Sequence, residues 1–210
     1  LHQVASVPKT ALLAIGNLAG LNGENSGAVT WYDTETKRIA QRIELPMPIL
    51  HVMPISATEV IAVSREANWR DSKATSVDGP STAVTRAMEA HDTGADGTPI
   101  YRAGTDGRFT EISQGDVKPI LKTNFGVAKV SPTKFLSSHH GSGKVVLWEN
   151  FKPGHVFDVP MAQAIMASRE GSEFLIVSQG KAMIYSLKTF ELLHVFNDWP
   201  EVVVLSAYDA

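Results

Sequence analysis

The 210-residue sequence predicts an all-β chain, a β-propeller of four-stranded antiparallel blades with four blades and one extra strand. Three observations predict it. Short stretches alternate between apolar and polar residues, and almost none carries a helical period. One order of four strands recurs along the chain. In each recurrence the third strand carries a hydrophobic–aromatic–polar signature, followed by a turn mostly rich in Gly, Asp, Asn or Thr.

The four signatures are Thr30-Trp31-Tyr32-Asp33, Pro99-Ile100-Tyr101-Arg102, Val146-Leu147-Trp148-Glu149 and Met183-Ile184-Tyr185-Ser186. The strands after them read RIAQRIEL (38–45), RFTEIS (108–113), HVFDV (155–159) and ELLHVF (191–196), beyond the turns TETK, AGTDG, NFKPG and LKTF. Second strands read ALLAIG (11–16), EVIAVS (59–64), KFLSSH (134–139) and EFLIVS (173–178). First strands read PILHVM (48–53), GVAKV (126–130), QAIMAS (163–168) and EVVVLSA (201–207), the last opening a fifth unit.

The markers Tyr32, Tyr101, Trp148 and Tyr185 stand 69, 47 and 37 residues apart. Two of these intervals bracket the roughly 40–45 residues of a propeller blade. An insertion at about 66–97 accounts for the long one. A single four-stranded sheet cannot cover both of its faces, so such sheets stack, and an aromatic on the third strand fills the wedge between neighbours. A β-sandwich of the same alternating strands is the competing architecture.

The whole of 1–210 then reads as one domain, or as a fragment of a larger propeller. Seven blades of this size would need about 300 residues. The alternatives are closure as a small propeller or pairing with another chain, since a bare fifth first strand would be an adhesive edge.

Composition narrows the function classes. Hydrophobic residues make up 43% and charged residues 20%, ordinary for a globular chain. A net charge of −3 argues against a surface tuned to nucleic acid. The absence of cysteine removes disulfides, thiolate catalysis and cysteine metal sites. No apolar run reaches the roughly 20 residues of a membrane span, and a cytoplasmic setting is expected. The start, Leu1-His2-Gln3-Val4, has neither an initiator Met nor a signal-peptide pattern, which suggests a processed or excised chain.

The stretch GKVVLWENFKPGHVFDVP (143–160) resembles the third-to-fourth-strand hairpin of a WD40 repeat, with Trp148-Glu149 in place of its Trp-Asp pair. SGAVTWYDTETKRIAQRIELP (26–46) resembles the same hairpin with Tyr32-Asp33. No Gly-His dipeptide precedes any blade, and only one blade carries Trp at the marker. Segments 11–33, 48–64 and 181–198 are also similar to blades of the phosphoinositide-binding propellers of autophagy (PROPPINs). The Phe-Arg-Arg-Gly motif that holds the lipid headgroup in that family is absent.

The resemblance implies that loops joining second to third strands share one face. Three are unusual here: NLAGLNGENSG (17–27), the insertion, and His139-His140-Gly141-Ser142-Gly143. Long loops in a compact domain tend to carry function, which makes this face the expected binding surface. Arg65, Trp69 and Arg70 give the insertion an aromatic–basic entry of the kind found at interface hot spots. Residues 81–91 have the pattern of one short capped helix. A surface loop without a partner is the competing reading of the insertion.

HHGSGK (139–144) lacks the first Gly and last Ser/Thr of a phosphate loop and reads as a hairpin turn. Adjacent histidines on a strand point to opposite faces, which disfavours a shared metal. No nucleophile elbow or catalytic order is present. The expectation is a non-catalytic WD40-like scaffold, without cofactor, that binds a protein partner through Arg65, Trp69, Arg70, His139 and His140. Phosphoinositide-dependent membrane recruitment and a metal-dependent propeller hydrolase are the alternatives.

Overall fold

The computed structural model describes residues 3–18, 26–64, 97–122 and 124–198. Its strands form four separate four-stranded sheets, each an antiparallel meander in chain order. Blade one comprises β1 (Gln3–Ser6), β2 (Leu12–Asn17), β3 (Gly27–Asp33) and β4 (Arg38–Leu45). Blade two comprises β5 (Ile49–Pro54), β6 (Glu59–Ser64), β7 (Ile100–Gly104) and β8 (Phe109–Glu111). Blade three comprises β9 (Asn124–Ser131), β10 (Lys134–His139), β11 (Lys144–Glu149) and β12 (Lys152–Asp158). Blade four comprises β13 (Ile165–Ala167), β14 (Glu173–Ser178), β15 (Lys181–Ser186) and β16 (Leu192–Phe196). The sheets are arranged like propeller blades and are not closed into a ring.

The recurring order of strands is therefore the order of the fold, and β6, β10 and β14 have the bounds their sequence pattern predicts. Several elements differ from expectation: β12 begins at Lys152, inside the expected turn, and β13 keeps only Ile165–Ala167 of 163–168. Blade one opens with β1, a four-residue strand whose QVAS pattern is too short to stand out but which pairs in full with β2. Blade two's outer strand is cut to three residues, because Gly115 and Pro119 follow in a 3-10 turn over Gly115–Ile120. The expected strand at 201–207 lies outside the described residues.

The core lies between blades. Trp31, Val29, Ile49, Val60 and Tyr101 fill the seam of blades one and two. Ile61, Ile100, Leu121, Phe135 and Trp148 fill the next. Leu147, Phe157, Phe174 and Ile176 fill the third, with Tyr185 partly buried beside them. Alternation explains this division: residues one apart on a strand face opposite ways, so each blade feeds two seams.

The same alternation corrects one marker. Tyr32, Trp148 and Tyr185 occupy equivalent register positions, opposite Leu13, Phe135 and Phe174. In blade two that position, opposite Val60, belongs to Ala103, and Tyr101 sits two residues earlier on the same face. Trp148 and Tyr185 each face the preceding blade. Tyr32 points the same way, where no blade precedes it among the described residues, and stays half-buried. Its neighbour Trp31 is the fully buried seam aromatic of blade one.

Turns between third and fourth strands add a repeated brace. Lys37, Gly107, Phe151 and Phe190, each the last turn residue before its fourth strand or within one residue of it, all have positive φ. Phe151 lies 4.6 Å from the Arg102 guanidinium of the preceding blade. Phe190 stacks on His155 of the preceding blade with centroids 4.1 Å apart. Gly107 approaches Gln41 so closely that a Cβ there would stand 3.0 Å from its Nε2. Lys129 reaches across the middle seam to donate to the Ile55 carbonyl at 2.9 Å, and burial lowers the pKa of its ammonium.

Trp148 is fully buried, stacks on Phe135 at 5.5 Å and donates its indole N–H to Ser137. Replacing it with Ala should lower unfolding free energy by about 3–5 kcal/mol in urea titration. Trp148→Phe should lose less, since it forfeits the hydrogen bond but keeps most of the volume.

Candidate functional site

Loops joining second to third strands emerge at one end of the blades, together with the connectors leading from one blade to the next. Backbone contacts lace the two together. Gly27 lies against the first connector, where a Cβ would meet the Met47 carbonyl oxygen at 2.3 Å. Gly97 lies against the second, with the Lys118 carbonyl oxygen 2.1 Å from such a Cβ. Gly143 lies against Pro160 of the third at 3.1 Å. Glycine stands at the start of every third strand or within three residues before it, at 27, 97, 143 and 180, a repeated signal that the aromatic markers overshadowed.

The insertion leaves and re-enters a fixed base. The Ser64 N–H and hydroxyl both donate to the Pro99 carbonyl, at 3.0 and 2.9 Å. The Thr98 N–H donates to the Leu121 carbonyl at 2.7 Å, and Gln114 Nε2 donates to the Thr98 carbonyl at 2.6 Å. Ser142 of blade three donates to Ile120 in the same connector. The base of the blade-two loop and the loop of blade three thus share one connector. Arg65, Trp69, Arg70 and the helix pattern at 81–91 lie outside the described residues.

Neighbouring histidines at this end part company. His139 is fully buried and turns to Ser137, whose Oγ is 2.8 Å from its Nε2. Trp148 Nε1 can only donate, so Ser137 Oγ accepts from it and links the indole to the imidazole. His139 Nδ1 and the Oδ1 of Asn124, its partner on β9, are both buried without a hydrogen bond. Asn124 spends its amide hydrogens on the carbonyls of Ser138 and Gly126. His139 therefore presents no side chain to the surface; it bonds Ser137 on its own strand, which in turn accepts from Trp148 on β11.

His140 turns instead to Phe125, with centroids 4.8 Å apart. Its ring is mostly covered and its Nδ1 has no partner, while Phe125 is 39% exposed. The two form an aromatic ledge at the loop end of blade three. Phe125 escaped the sequence reading because a lone Phe between Asn and Gly, at the start of a first strand, resembles any core residue.

The HHGSGK stretch is a turn, as expected. His140–Ser142 make a single 3-10 turn closed by Gly143 at φ 63°, and strand β11 follows. A phosphate loop needs a helix there. Among the described residues no three His, Asp or Glu side chains group as metal ligands, and no helix is long and apolar enough to cross a membrane. No family model and no curated protein matches the chain.

Burial holds the His139 pKa down at about 3, because the imidazolium would lose its hydration inside the seam. The sign follows from linkage. With its folded pKa below the unfolded value, His139 contributes its full stability above about pH 6.5 and loses it as pH falls toward 3. Each pH unit below the unfolded pKa should remove up to about 1.4 kcal/mol. Denaturation midpoints between pH 7.5 and 5 should fall more steeply for the native chain than for His139→Gln, which carries no titrating ring.

Proposed function

We propose that the chain is a non-catalytic, WD40-like propeller scaffold that holds a protein partner through the loop end of blades two and three, in a cytoplasmic setting. The observation that supports this reading is the Phe125–His140 ledge beside the braced base of the insertion. An exposed aromatic on a backed, partly satisfied imidazole is costly to leave in water and suits an interface anchor. The base is rigid where the loops are long, the arrangement by which scaffolds carry variable recognition segments. His140 acts as a contact in this reading, and His139 positions it from within the blade. Arg65, Trp69 and Arg70 of the insertion are the further contacts of this reading.

An affinity pull-down from native extract tests the proposal by comparing three chains: the native one, Phe125→Ala, and one with residues 67–97 replaced by a short Gly/Ser turn. The expected result is a partner retained by the native chain and reduced by both changes, with circular dichroism and unfolding midpoint preserved. Equal recovery by all three chains would remove this end of the molecule as the interface. Binding to anionic liposomes that weakens with salt would replace the protein partner with a membrane surface.

A further inference from the structure

At the opposite end of the blades, where third and fourth strands turn, the seam between blades two and three opens into a groove of about 460 Å³. Its origin is the shortened outer strand. β4, β12 and β16 run for eight, seven and five residues, whereas β8 has three, all exposed. Arg102 and Glu59 form the floor, joined at 2.6 Å, and Phe151 covers one face of the guanidinium. Thr110 and Ile112 line the wall on the same face of blade two. On the other face of β8, exposed Glu111 makes no ion pair among the described residues. Burial first, and the charge of Glu111 second, push the neighbouring Tyr101 phenol up to about 12.

We infer that this groove is a second protein-contact site, which takes an extended peptide as an added strand on β8. The occupant follows from the chemistry of the edge. An outer strand offers unpaired backbone groups, and only another extended backbone matches them in register. Alternate side chains of an added strand would enter the seam beside Phe151 and Ile112. There the Arg102 charge is already neutralised by Glu59, which favours an aromatic side chain over an anion. Intervening side chains would lie beside Glu111, which favours lysine or arginine. The ligand is therefore an extended segment with a basic residue next to an aromatic one.

The probe is the acetylated, amidated hexapeptide Thr-Val-Lys-Trp-Thr-Val, with control peptides carrying Glu for Lys or Ala for Trp. Backbone amide shifts of Thr110, Glu111 and Ile112 on titration by NMR give site and affinity together. The Glu peptide should bind about fivefold more weakly, and the Ala peptide about tenfold or more. The exposed variant Glu111→Lys should fold normally and invert the preference between the Lys and Glu peptides. Shifts elsewhere with none on β8, equal affinity for all three peptides, or an unchanged preference in Glu111→Lys would each overturn the inference. The 67–97 replacement should leave peptide binding unchanged, so the outcome is independent of the interface at the loop end.

Discussion

A four-stranded sheet with apolar residues on both faces is the constraint on which this molecule depends. Taken singly, each blade would leave both faces of its sheet in water. Residues such as Val60 and Ile61 are adjacent on β6, yet both are fully buried, one in the first seam and one in the second. Burial on both faces requires neighbours on both sides. The stability of blade two is thus not its own. It belongs to the seams, each worth roughly 25 cal/mol for every Å² of apolar surface withdrawn from water.

The two ends of the blades meet that requirement by different means. At the loop end, glycines let backbone approach backbone, and side chains such as Ser64, Gln114 and Ser142 close the contacts with hydrogen bonds. At the turn end, Phe151 and Phe190 in left-handed turns lie flat on cationic or imidazole side chains of the blade before. The first device fixes where loops start and finish without limiting their length. The second fixes the angle between blades at their outer rim, and it fails to fill the rim where β8 stops short.

Most of the architecture was legible because the blade is a local object. Its strands follow one another in sequence, its turns use residues with known preferences, and three of its second strands could be bounded to the residue. What eluded the sequence were choices between faces. Trp31 and Tyr32 are both aromatic and adjacent, and only the pairing with β2 and β4 decides which enters the seam. His139 and His140 pose the same problem. As neighbours in a loop-like stretch both read as partner contacts, but a one-residue difference in direction buries the first, which bonds Ser137. The structure buries His139 fully and sets His140 against Phe125.

That difference in direction also sets the buried residues next to the ledge. His139 holds the end of β10 to β9 and β11, and His140 follows it directly into the 3-10 turn. Phe125 adjoins Asn124, the residue paired with His139. Each member of the exposed ledge is therefore one peptide bond from a member of the buried set. The backbone from which both ledge residues project is continuous with the strand ends that carry the buried set. Burial disfavours the imidazolium form of His139, so the blade that carries the ledge is most stable where that ring is neutral.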